Sequence, residues 1–340
     1  MAATSAEGRA RSPRPKVVVV TNENPDWPDL DKGHADEMLQ LLLDGLREQA
    51  YTFRVFKFFD ELRCLDDLDP REWLVWNWGE EWAGIPWSEA IVADELERRG
   101  FAYTGSGPDT LRLTQDRVRV KETLREAGLP TLPARLFADT NGVGEWSVYP
   151  AIVKGAHQHA SLGIDRESVV LTVDDLAGRI EHLRRCYDDD ALVEPFLDSR
   201  EFQVAVWGNR EPEALPPSEI CYDTFSDVRD RLHTRAWKIE RESRGYREIR
   251  MPCPAPRDRP DWRERIEVVA VAAYRALDLR DYARFDMRML GDEPQILDVN
   301  SNPELDPQSV VLEGARARGL SYGQMADRII RFAADRMPGS

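Results

Sequence analysis

Cysteine is scarce and scattered. Cys64, Cys186, Cys221 and Cys253 form no C-x-x-C pair, which argues against a disulfide framework or a cysteine zinc site and suits a reducing compartment. Long apolar runs are also missing. Val17 to Val20 and Leu39 to Leu43 fall far short of the roughly 20 residues that cross a bilayer, and no secretory signal opens the chain. A cytoplasmic protein with no membrane partner is therefore expected. Positive charge is in deficit: 46 basic against 62 acidic residues leave a net charge of -16. No nucleic-acid partner is expected, and a small anion held together with a metal is the more natural ligand. Val20-Thr21-Asn22-Glu23-Asn24-Pro25 lacks the glycines of a dinucleotide-binding turn, which sets aside a nicotinamide dehydrogenase. No repeat of solenoid length is present.

The 340 residues exceed one ordinary compact domain, so subdomains around shared clefts are expected. Met1 to Pro15 mixes Ala, Ser, Gly, Arg and Pro without periodicity and reads as a disordered leader. Lys16 to Val20 reads as a strand, Asp36 to Arg47 as a helix, Trp73 to Trp76 as a buried strand, Trp87 to Arg99 as a helix closed by Gly100, and Phe101 to Thr104 as the start of another strand. This alternation predicts a small parallel α/β domain ending near Leu113. A helix is expected over Thr114 to Ala127, stopped by Gly128 and Pro130, with strands at Ala134 to Phe137, Ala151 to Lys154, Leu192 to Glu194 and Glu201 to Trp207. Thr172 and Asp175 resemble a capping box for a helix through Arg185. A helix at Ile266 to Leu277, strands at Tyr282 to Leu290 and Gln295 to Val299, and a helix after Ser321 complete the pattern.

The most informative chemistry lies in Arg284-Phe285-Asp286 and Asp298-Val299-Asn300-Ser301-Asn302-Pro303. Alternate residues of a strand share a face, so Arg284 with Asp286, and Asp298 with Asn300, converge if the two strands pair. Two carboxylates and an amide oxygen are hard ligands suited to magnesium, and a neighbouring cation can face developing negative charge. Taken alone, these residues fit a solvated strand edge equally well. Lys154 ends an apolar strand before the loop Gly155 to Gly163, where it can meet a phosphate. Glu194 and the Pro195-Phe196-Leu197 backbone could serve an adenine edge, and Glu201 could accept from ribose hydroxyls.

In this order the segments resemble the ATP-grasp superfamily, most nearly its D-alanine-D-alanine ligase branch, from about Lys16 to the C-terminus. Tyr103-Thr104-Gly105-Ser106 and Ala127-Gly128-Leu129-Pro130-Thr131 strengthen the likeness. The resemblance implies an α/β (α+β ATP-grasp) fold: a leader at 1–15, an N-terminal α/β domain at 16–113, and ATP-grasp subdomains at 114–196 and 197–340 that hold ATP between them. It implies ATP and Mg2+ (or Mn2+) as cofactors, small-molecule carboxylate and amine substrates, an acyl phosphate intermediate, and compatibility with a homodimer. It assigns Lys154 and Arg117 to phosphate, Glu194 with Pro195, Phe196 and Leu197 to adenine, Glu201 to ribose, Asp286, Asp298 and Asn300 to metal, and Arg284, Lys238 and Ser161 to catalysis. A nucleotide-binding regulatory or scaffold protein without turnover is the alternative.

The departures bear on substrate. Asp116-Arg117 stands where the family carries a lysine, and the family's Gly-Ser-Ser stretch is His159-Ala160-Ser161, within His157 to Gly163. Glu304 follows Pro303 where the family has glycine, so it could repel an acceptor's carboxylate or bind its cationic group. Ser309 matches a serine that can hold the acceptor carboxylate or simply cap a helix, and Glu23 a glutamate at the first substrate's amino group. Half of the ten tryptophans lie between Trp73 and Trp87, as core or as an aromatic wall favouring a substrate larger than alanine. Arg229 to Arg250 reads from its charge density as a solvated helix or mobile loop; the resemblance implies a lid that closes over the acceptor.

Overall fold

The structure, a computed structural model, describes residues 14–158, 162–234, 237 and 242–339. Ser161 and Lys238 lie outside them. Three sheets organise the chain. The first is parallel, in the order β2 (Phe53–Phe58), β1 (Lys16–Asn22), β3 (Trp73–Trp78). Its valine run is buried on both faces, as a parallel sheet requires. Val17 and Val19 enter one core with Leu42 and Leu46 of α1 (Asp29–Glu48), while Val18 and Val20 enter another with Val92 and Leu96 of α2 (Glu89–Arg98).

The helix expected over Thr114 to Ala127 forms as α4 (Arg117–Glu126), three residues shorter at its start, and a separate helix, α3 (Pro108–Thr114), precedes it. Asp116 breaks the path because its carboxylate caps α4, accepting from the Val118 and Arg119 N–H groups. The strand expected at Phe101 reduces to a single bridge between Val75 and Tyr103. Gly100 and Gly128 adopt φ of +76° and +69°, left-handed exits that a side chain would strain.

The second sheet runs β4 (Arg135–Phe137), β7 (Ala191–Pro195), β5 (Ala151–Gly155), β6 (Val169–Val170), backed by α5 (Val173–Tyr187). The capping box of α5 forms as expected, with Thr172 accepting from Asp175 N–H and Asp175 accepting in return. The third sheet runs β10 (Ser218–Ile220), β8 (Glu201–Trp207), β11 (Tyr282–Leu290), β12 (Glu293–Asn300), with β9 (Glu213–Ala214) also on β8. In chain order the later helices are α6 (Arg244–Glu248), α7 (Pro260–Ala276), α8 (Val310–Ala317) and α9 (Tyr322–Ala334). Ala283, Phe285, Met287 and Met289 of β11 face α7 in a common core, which turns the even-numbered residues Arg284, Asp286 and Arg288 to the opposite side.

β11 starts at a joint. Asp281, at φ +65° and fully buried, accepts from Gly105 N–H at 2.8 Å, Asn209 Nδ2 at 3.1 Å and the Arg336 guanidinium at 2.6 Å. Arg280 Nε returns a bond to the Gly105 carbonyl at 2.8 Å. The Tyr103-Thr104-Gly105-Ser106 string thus docks the N-terminal part onto the root of the strand that carries Arg284.

Candidate functional site

β11 and β12 are antiparallel neighbours in the register Arg284 to Asn300 and Asp286 to Asp298. The convergence expected from strand alternation is therefore present. Arg284 donates from Nε and one terminal nitrogen to the two oxygens of Asp286, at 2.8 and 3.1 Å. Burial alone would lower the Arg284 pKa, but Asp286, Asp298 and Glu304 outweigh it and raise it. Arg284 is a permanent cation here. Asn300 Oδ1 accepts from Asn302 N–H at 2.9 Å, fixing its amide in a short turn. Two carboxylates and an amide oxygen, all hard donors, make a set that fits a magnesium ion, and arginines neutralise both carboxylates without one.

Arg117 reaches this group from the first turn of α4. It is buried, donates to Asp298 Oδ2 at 3.2 Å and to the Gly155 carbonyl at 2.8 Å, and also bonds the Gln158 carbonyl. The guanidinium thereby bridges the loop after Lys154 to the metal-type carboxylate, a reach its planar fork permits. In the same loop, Asp189 holds His157, accepting from its N–H and pairing with Nδ1, each at 2.9 Å.

Lys154 meets Glu194 at 2.9 Å, and Lys121 pairs with the other oxygen of the same carboxylate. Glu194 is fully buried. Its burial would raise its pKa, but Lys154 and Lys121 overcome that and lower it. Lys121 escaped the sequence reading although it lies one helical turn after Arg117, on the same face of α4. It also donates to Thr131 Oγ1 at 2.9 Å.

A cleft open to solvent joins these parts. Arg117, Lys154, Glu194, Pro195, Phe196, Leu197, Glu201, Asp286 and Asp298 line it. At the hinge, Phe196 N–H bonds the Pro150 carbonyl at 2.8 Å and the Leu197 carbonyl accepts from Arg288. Glu201 is held by Arg288 and by the Tyr222 hydroxyl. Arg288 was missed too, although it stands two residues after Asp286 and shares its face. Leu297 adds an apolar side chain to the floor beside Asp298, because a bulge lies between the Asp286–Asp298 and Met287–Ile296 pairs.

The remaining candidates divide. Glu304 is exposed but close enough to act electrostatically on Arg284 and on Glu80. Glu80 keeps contact with solvent, but desolvation by the protein packed around it, and then Glu304, Glu89, Glu81 and Asp31, push its pKa up to about 7. Ser309 caps α8, accepting from Leu312 N–H at 3.3 Å. Glu23 is exposed, its N–H bonded to the Phe58 carbonyl at 2.8 Å, while Asn22 and Asn24 beside it bind Glu81. Trp73 and Trp76 are buried core residues; Trp78, Trp82 and Trp87 are partly exposed. In the charged stretch, Arg229 pairs with Asp227, Arg231 with Asp198 and Arg244 with Glu248.

Comparison with known proteins follows the same lines. Residues 126–331 match the family described as D-ala D-ala ligase C-terminus. The chain is 32% identical over 256 residues to a D-alanine-D-alanine ligase of Desulforudis audaxviator (strain MP104C), covering 73% of this chain and 78% of that protein. It is 31% identical over 248 residues to the uncharacterized protein y4sG of Sinorhizobium fredii (strain NBRC 101917 / NGR234), covering 72% and 70%. The crystal structure of D-alanine-D-alanine ligase from Bacillus anthracis complexed with ATP superposes with a TM-score of 0.69 at 18% identity, over 94% of this chain and 97% of that one. The chain belongs to the D-alanine-D-alanine ligase family of ATP-grasp enzymes, ATP- and Mg2+-dependent ligases that join a carboxylate to an amine.

Proposed function

We propose that the cleft binds ATP with adenine at Glu194 and the Pro195 to Leu197 hinge, ribose at Glu201, and phosphates at Lys154 and Arg117. Asp286, Asp298 and Asn300 would hold magnesium, which supplies charge neutralisation along the phosphates when bound. A carboxylate oxygen attacks the γ-phosphorus, ADP leaves, and an acyl phosphate forms. An amine then adds to the acyl carbon, Arg284 faces the oxyanion, and phosphate departs with the bonding electron pair as the nitrogen loses its proton. Lys238 and Ser161 are assigned to the same chemistry by their matches to the family. The register that sets Arg284 and Asp286 against Asn300 and Asp298, with Asp286 and Asp298 lining the same cleft as Lys154, Glu194 and Glu201, supports this reading. A binding protein without turnover is not favoured, since its relatives are ligases and the four groups are retained.

The substrates differ from two D-alanines. Glu304, close enough to act electrostatically on Arg284, gives the amine side a negative charge beside the arginine. It supports an acceptor with an added cationic group and disfavours one anchored only by a free carboxylate. A cytoplasmic homodimer acting on small molecules alone belongs to the same proposal; the net charge of -16 supports the absence of a nucleic-acid partner. No helix among the described residues is long and apolar enough to cross a membrane.

The test is ADP release with Mg-ATP across pools of L- and D-amino acids and di- and polyamines, with product masses and Asp298→Ala as control. Turnover that needs one carboxylate and one cationic amine, and vanishes in Asp298→Ala, is expected. ATP binding without turnover in any pool would count against the ligase assignment, and equal use of D-alanine as acceptor against this role of Glu304.

A further inference from the structure

Arg288 belongs to no part of the reaction described above, yet it is one of the most completely engaged side chains in the cleft. It is 2% exposed and stands directly across the β8–β11 ladder from Glu201. Its Nε and one terminal nitrogen donate to Glu201 Oε2 at 2.8 and 2.6 Å, and the Tyr222 hydroxyl donates to the same oxygen at 2.9 Å. The other donors go to main-chain carbonyls, Leu197 in the hinge and Arg231 in the segment that carries Leu232 and His233 along the cleft wall. The guanidinium lies over the Phe196 ring, 4.5 Å from its centre.

Every donor that Arg288 and Tyr222 offer Glu201 converges on Oε2. A carboxylate has about four acceptor positions, so filling one oxygen fixes the rotation of the group and leaves Oε1 as the acceptor for a ligand. The planar fork of an arginine can set two donors on one oxygen, as Arg288 does on Oε2; a lysine supplies charge without the fork.

Resting on the assignment of Glu201 to ribose, we propose that Arg288 is a positioning residue for sugar recognition. It presents Glu201 Oε1 to the ribose hydroxyls and ties that contact to the hinge and to the Leu232–His233 wall. The enzyme therefore separates ATP from 2′-deoxy-ATP through a carboxylate that is only as selective as Arg288 makes it.

Calorimetric binding of Mg-ATP and Mg-2′-deoxy-ATP, without carboxylate substrate, tests this. The ratio of the two dissociation constants cancels general damage to the cleft. The wild type is expected to favour ATP by about tenfold or more, as a charged hydrogen bond to a hydroxyl allows. Arg288→Met brings the ratio near unity, Arg288→Lys recovers part of it, and Tyr222→Phe lowers it partway, giving a readout even where Arg288→Met fails to fold. Wild-type ratios in Arg288→Met and Tyr222→Phe, with the ratio lost in Glu201→Gln, would overturn the role of Arg288 while keeping Glu201 at the ribose. An unchanged ratio in Glu201→Gln would overturn the ribose assignment itself, and this inference with it.

Discussion

Lys154 and Glu194, on adjacent antiparallel strands, meet in a buried ion pair at 2.9 Å, so the lysine matched to phosphate and the carboxylate matched to adenine hold each other. Lys121 completes the cluster, two ammonium groups on one carboxylate. Burial pulls the Lys121 pKa down, with Glu194 opposing it. An arriving phosphate can recruit Lys154 while Lys121 keeps Glu194 partnered.

That division of labour separates two variants. Lys121→Met leaves Glu194 short of a partner in a fully buried place and should cost about 3 kcal/mol of stability, read by chemical denaturation. Lys154→Met should instead raise the Kd for ATP by about tenfold or more, as loss of a charged contact implies, with a smaller loss of stability. If Lys121→Met melts like the wild type, the cluster is not what holds the hinge.

Arg284 is paired with Asp286 and faces the opposite strand. If it meets the oxyanion of the second step, Arg284→Met should lower kcat by roughly 100- to 1,000-fold with ATP affinity little changed. Rapid-quench detection of acyl phosphate would then show the intermediate persisting. A loss confined to ATP binding would remove Arg284 from that step.

Glu80 makes stability depend on pH. Its folded pKa is raised from 4.5 to about 7 by desolvation, then by Glu304, Glu89, Glu81 and Asp31. Between pH 4.5 and 7 the folded chain binds more protons at this site than the unfolded chain, so this contribution is present below the lower value and is lost as pH rises through about 7. Glu80→Gln should remove that loss, raising Tm at pH 8 relative to wild type by about 1–2 °C and leaving pH 5 little changed. Solvent contact at Glu80 keeps the effect small.

Glu304→Gly should relax the demand for a cationic amine. Competition assays read by product mass are expected to show zwitterionic acceptors gaining at least about tenfold in kcat/KM against the preferred amine, the scale of one charge-assisted contact. Unchanged preference would place the specificity elsewhere.

Much of the site was legible because its residues obey strand alternation. Arg284, Asp286, Asp298 and Asn300 needed only the assumption that two strands pair, and the register supplies it. Arg288 obeyed the same rule but sat in an apolar-looking run, Met287 to Leu290, where a cation reads as an outward residue; its partner Glu201 is 87 positions away. Lys121 was hidden among the charges of α4, since solvated and buried lysines look alike until the opposing sheet is known. The start of α4 was placed three residues early because Asp116, its cap, is also an ordinary surface residue. The α8 cap at Ser309, by contrast, realised the plainer of its two readings.

The bulge at Leu297 reverses the parity of β12. Before it, the buried apolar residues are even-numbered, Pro294 and Ile296; beyond it the buried apolar residue is odd-numbered Val299, while even-numbered Asp298 and Asn300 are half-buried and Asp298 lines the cleft. One uninterrupted strand therefore follows two opposite grammars of tolerance. Saturation mutagenesis should find the demand for apolar residues falling on even numbers up to Ile296 and on odd numbers after Leu297, and removing Leu297 should turn Asp298 and Asn300 inward as a unit.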